Sequence, residues 1–94
     1  MAAVEVDRHE FRQAEPKQRR RLREYARQLE SEPYLGDRVH RVPTEFRGLP
    51  NLFLLKLPDG WRALYTVVGS ATRGISVKIV WIGDHARYDR LFGY

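Results

Sequence analysis

The chain has 94 residues, enough for one domain that buries roughly 60–65% of its unfolded surface around a single core. It contains no cysteine, which excludes disulfides, thiolate metal sites and cysteine nucleophiles. Seventeen Lys and Arg against twelve Asp and Glu give a net charge of +5, and fourteen of the seventeen cations are Arg. Arginine's planar fork matches phosphate and carboxylate and stacks on bases. An Arg-rich surface therefore points to an anionic partner, either nucleic acid or an acidic protein segment, or is simply a solvated basic surface.

The start of the chain, Met1-Ala2-Ala3-Val4-Glu5, has neither the basic region nor the apolar core of a signal peptide. No stretch reaches the length of a membrane span. The expectation is a cytoplasmic protein without a membrane partner.

Residues 2–7 alternate, with Val4 and Val6 apolar between Glu5 and Asp7, which predicts a short, half-exposed strand. Phe11 and Ala14 allow a helical turn over 8–14. Glu15-Pro16 then opens the clearest helix, because a first-turn proline lacks only an N–H that would be unpaired anyway. Leu22, Tyr25, Ala26 and Leu29 follow one stripe, and Arg19, Arg20, Arg21, Arg23 and Arg27 cover the rest. Pro33 ends it. Residues 33–50 read as an irregular connection anchored by Val39 and Val42.

From residue 51 the period changes. Leu52–Leu57 and Trp61–Val68 are apolar runs joined by Pro58-Asp59-Gly60, a hairpin whose corner reads as a type I turn with a glycine bulge. Ile75–Ile82 is a third strand after the Gly69–Gly74 turn. Gly83-Asp84 ends it and caps a short helix over 85–92. The whole predicts one α+β domain spanning 1–94, with an N-terminal strand, a helical hairpin, an antiparallel β-meander and a short C-terminal helix.

Two features carry chemistry. In the hairpin, Lys56 falls opposite Arg62, a like-charged pair that costs a few tenths of a kcal/mol unless both side chains reach into water or an anion sits between them. After the third strand, His85, Arg87 and Tyr88 gather an imidazole, a guanidinium and a phenol within four residues. The meander brings that strand end towards Lys56 and Arg62. Such a group suits RNA cleavage: a base takes the 2′-OH proton, cations stabilise the crowded phosphate, and an acid protonates the leaving oxygen. Tyr88 also has a face on which a base can stack. Equally, His85 reads as a helix-cap or surface histidine and Tyr88 as a core aromatic. His9 and His40 lack metal-ligand spacing, and no phosphate-binding glycine loop is present, so neither metal nor cofactor is expected.

The segments NLFLLKLPDGWRALYTVVG and KIVWIGDHARYDRLFGY resemble the RelE/ParE superfamily, the toxins of bacterial and archaeal type II toxin–antitoxin pairs. The features that carry the resemblance are Lys56-Leu57, the Pro58-Asp59-Gly60 turn, Trp61-Arg62-Ala63-Leu64-Tyr65, Gly83, His85 and Tyr88. The N-terminal strand and basic helices agree with it. The resemblance implies a ribosome-dependent mRNA endonuclease or, in the ParE branch, an inhibitor of DNA gyrase. It implies a phosphate contact for Arg62, a strand cation in Lys56, a catalytic role for His85 and the C-terminal aromatic role for Tyr88. Arg47, Arg87 and Lys78 are expected to contact the RNA. The implied partners are mRNA on the ribosome and a cognate antitoxin, whose extended acidic segment suits the Arg-rich helical face. The family pattern is broken at Leu54, where its type member has a lysine, and at Ala86, which separates His85 from Arg87. A non-catalytic relative with the same fold is the third reading.

Overall fold

The structure is a computed structural model that describes residues 1–70 and 72–94. The elements run β1 (Ala3–Val6), α1 (Arg8–Gln13), α2 (Pro16–Ser31), β2 (Asp37–Arg38), β3 (Phe53–Lys56), β4 (Arg62–Ser70), β5 (Gly74–Gly83) and α3 (His85–Phe92). They form an α+β architecture with one mixed five-stranded sheet in the order β1-β5-β4-β3-β2. β3, β4 and β5 are the antiparallel meander, and β1 joins its far edge parallel to β5.

Two expectations about local structure are corrected. The connection over 33–50 is not wholly irregular: Asp37 and Arg38 pair with Leu54 and Phe53 as a two-residue edge strand. Neither residue is apolar, so hydrophobic patterning does not reveal it. The hairpin corner is also not a type I turn. Asp59 (φ 60°, ψ 34°) and Gly60 (φ 77°) both lie in the left-handed region, and Trp61 N–H donates to the Pro58 carbonyl at 3.3 Å. That is the handedness of a type I′ turn, whose twist matches the strands it joins. Asp and Gly are the residues that tolerate it.

Alternation along the strands sends side chains to two faces. On one face Phe53, Leu55, Ala63, Tyr65, Val67, Val77, Ile79 and Ile82 pack with Leu22 and Leu29 of α2 and Ala14 at the end of α1. The other face buries Leu52, Leu64, Trp81 and Phe92 beneath α3 and the 39–49 segment, with Val39 and Val42 packed against them. The register shifts between Leu64 and Tyr65, which face Trp81 and Ile79, so Val80 is the extra residue of a bulge. Val80 and Trp81 both pack into the second cluster, as expected when a bulge re-aims consecutive side chains.

Asp7 caps α1 by accepting from the Glu10 amide at 3.0 Å. Asp84 caps α3 in the same way through the Arg87 amide at 2.9 Å. Gly93, at φ 77°, closes the C-terminal end of α3. Among the described residues no helix is long and apolar enough to cross a membrane.

Candidate functional site

The meander sets out the candidate residues in a row. Lys56 on β3 pairs with Arg62 on β4, and Arg62 pairs with Gly83 on β5. Cross-strand partners share a face, so Lys56 and Arg62 project from the side of the sheet that holds Leu54 and Leu64. Gly83 is needed at its end of the row. A Cβ there would stand 2.6 Å from the Trp81 ring and 3.1 Å from the Arg87 Cβ, so only glycine lets the strand pass beneath the indole and turn into α3.

Arg62 is half-buried, and its guanidinium donates to the Trp61 carbonyl at 3.1 Å. Its Cζ lies 5.9 Å from the centre of the Tyr88 ring, within cation–π range. Lys56 is exposed. Neither cation has a carboxylate within 4.0 Å among the described residues. The like-charged pair therefore stands without a protein counter-ion.

Tyr88 packs between Trp81, at 6.2 Å, and Phe92, at 4.5 Å, but stays partly exposed. Burial raises its phenol pKa, Tyr94 adds to the rise, Arg62 pulls it back and Asp89 raises it again. The net direction is upward from 10.0, so the phenol is neutral at physiological pH. It has a proton to donate and cannot act as a base there.

His85 opens α3 beside the hairpin corner; a Cβ on Gly60 would lie 3.8 Å from that of His85. Its Nε2 is 3.3 Å from Asp89 Oδ2, one turn along the helix, and its side chain is exposed. A neighbouring carboxylate orients an imidazole.

The other three expected RNA contacts lie elsewhere. Arg87 faces back into the fold: its guanidinium donates to the Ile82 carbonyl at 2.7 Å and the Gln13 side chain at 3.3 Å, and lies 3.7 Å from Glu10. Lys78 is exposed in mid-β5 between Glu5 and Thr66. Five residue steps along β5 separate it from Gly83, about 16 Å at the usual rise. Arg47 follows the 3₁₀ turn Thr44–Phe46 and lines a groove with Arg41 and Arg90 at the far end of α3.

The sequence reading missed two buried polar residues that hold the site in place. Glu10 is 8% exposed; it accepts from the Ile82 amide at 3.0 Å and from Gln13 at 2.8 Å. The Asp7-x-x-Glu10 spacing signals a capping box, but the Glu10 carboxylate turns to β5 instead of closing that box. Gln18 is 1% exposed and donates to the Pro58 carbonyl at 3.0 Å. It lies one turn before Leu22, so it extends the buried stripe of α2 in a residue type that patterning does not count. With Lys17 on Asp59 at 3.0 Å and the Tyr25 hydroxyl on the Lys56 carbonyl at 2.9 Å, α2 buttresses the hairpin from behind while its front carries the cations.

No family model matches this chain, and neither the curated proteins nor the solved structures contain a significant match to it.

Proposed function

We propose that this chain is a RelE/ParE-like toxin of a type II toxin–antitoxin pair that cleaves mRNA on the ribosome. The observation that carries the reading is the unpaired Lys56–Arg62 row with Tyr88 against the Arg62 guanidinium. Two cations without a carboxylate cost the fold free energy, and a phosphodiester between them turns repulsion into a clamp.

The chemistry is transesterification. The 2′-hydroxyl oxygen attacks the adjacent phosphorus and loses its proton, and the 5′-oxygen of the next nucleotide leaves and gains one. The products are a 2′,3′-cyclic phosphate and a 5′-hydroxyl end. Arg62 and Lys56 neutralise charge on the non-bridging oxygens. Tyr88, neutral and partly exposed, stacks on a base and has a proton for the leaving oxygen. His85 sits at the same end with an imidazole for proton transfer. Its Nε2 is held 3.3 Å from Asp89 Oδ2.

The antitoxin would cover the opposite side of the molecule. Val6, Phe11, Leu22 and Ala26 line an apolar groove of about 300 Å³ rimmed by Arg8, Arg12 and Arg23. Apolar floor and basic rim suit an acidic amphipathic segment.

A second reading is a binding protein without catalysis, either a gyrase-directed toxin or an inactive relative. The exposed, Asp89-paired His85 favours it. Induced expression separates the readings. An endonuclease arrests growth with an early stop in protein synthesis, and Arg62→Ala relieves the arrest. Arrest with a DNA-damage response that survives Arg62→Ala assigns the gyrase reading. Normal growth leaves only the inactive relative.

A further inference from the structure

We propose that the groove between the 41–47 segment and the C-terminal end of α3 is a second nucleotide-binding station, holding the stretch of single-stranded RNA that flanks the phosphate at Arg62. This rests on reading the Lys56–Arg62–Tyr88 face as an RNA site.

The groove has a volume of about 280 Å³, and its lining includes Arg41, Thr44, Arg47 and Arg90. All three arginines are exposed, and none has a carboxylate within 4.0 Å among the described residues. Three uncompensated guanidiniums around one concavity create a positive potential that attracts a polyanion.

An aromatic ring identifies which polyanion. Tyr94 is 73% exposed and stacks at 14° on Phe92, 6.1 Å away. The Arg41 Cζ lies 5.9 Å from the Tyr94 ring centre. The candidate site has the same pairing, Arg62 over Tyr88 at 5.9 Å. Tyr88 stacks on the same Phe92 at 4.5 Å. The molecule thus presents two Arg–Tyr pairs joined through one buried phenylalanine. Alternating cations and ring faces is the arrangement that tracks single-stranded nucleic acid, with guanidiniums on phosphates and rings under bases. An acidic peptide would use the arginines but has no base to place on an exposed tyrosine face.

The test uses fluorescence anisotropy on the whole protein with two labelled single-stranded RNAs, one of about three nucleotides and one of about ten, the latter within the span usual for such surfaces. The longer RNA should bind more tightly. The triple change Arg41→Gln, Arg47→Gln and Arg90→Gln should remove that advantage, on the order of tenfold or more. It should also lower the slope of log affinity against log salt by about two, as expected for three lost phosphate contacts on a single strand. Tyr94→Ala should weaken the longer RNA by about tenfold without changing the salt slope, and Tyr94→Phe should restore it.

Affinity for the longer RNA that ignores both variants overturns the second station and leaves the cleavage reading standing. Binding that depends on them, with no cleavage of ribosome-bound mRNA, supports the station and overturns the cleavage reading. Tighter capture of an oligo-glutamate peptide than of RNA by the same arginines overturns the RNA assignment.

Discussion

The two arginines nearest the start of α3 face opposite ways and do opposite work. Arg87 turns towards α1 and is satisfied by the Ile82 carbonyl, Gln13 and Glu10. Arg62 turns to the other face of the sheet and, among the described residues, is held by its neighbour's carbonyl and the Tyr88 ring. Behind the sheet, polar groups such as Glu10 and Tyr65 have partners within the fold. In front, exposed Lys56, Arg41, Arg47 and Arg90 and half-buried Arg62 have no carboxylate within 4.0 Å among the described residues. A satisfied cation stabilises the protein; an unsatisfied one is available to a ligand.

Substitutions should separate the two regions. The largest stability loss is expected behind the sheet: Leu22→Ala or Leu29→Ala empties a fully packed position and should cost about 2–5 kcal/mol, measured by urea unfolding. Glu10→Ala should cost about 2–3 kcal/mol, because it strands the Ile82 amide and leaves Arg87 without its carboxylate. A Glu10→Ala loss below about 0.5 kcal/mol would break the distinction between the two arginines.

Smaller effects sharpen it. Tyr65 is fully buried, and its hydroxyl accepts from the Gly36 amide at 2.8 Å. Tyr65→Phe should cost about 1 kcal/mol. Burial raises the Tyr65 phenol above 10.0, the Gly36 hydrogen bond lowers it in part, and Asp37 raises it. The folded state therefore holds this proton more tightly than the unfolded chain does. Its contribution is complete below pH 10 and is lost as pH rises through the folded value. Tyr65→Phe should flatten that alkaline loss in unfolding measured at successive pH values. At the front of the sheet the sign should reverse. Lys56→Ala relieves a like-charged cross-strand pair and should leave stability unchanged or raise it by a few tenths of a kcal/mol, while reducing RNA cleavage. A clear loss of stability would show that Lys56 serves the fold.

Much of this arrangement was legible in the residues. The Lys56–Arg62 register agrees with the sequence even though its corner is a type I′ turn and not the type I turn with a glycine bulge read there, and the extent of α3 follows from local signals. The partners of Glu10 and Gln18 were not, since Glu10 bonds a strand 72 residues away and Gln18 a turn 40 residues away. Asp37–Arg38 was equally silent, because an exposed edge strand needs no apolar pattern. Nothing in the spacing of Arg87 distinguished it from Arg62 either. The difference arises only when α1 is laid beside the start of α3.

The most direct measurement is primer extension on a reporter mRNA in a purified translation system, with wild type, Arg62→Ala and Arg27→Ala side by side. Arg27 is an exposed cation on α2, and its loss controls for charge alone. The account predicts cuts at the ribosomal A site that fall by about 10²–10³-fold in Arg62→Ala, the scale of one lost transition-state donor, and persist in Arg27→Ala. Absence of cleavage by the wild type, or cleavage that Arg62→Ala leaves intact, would contradict it.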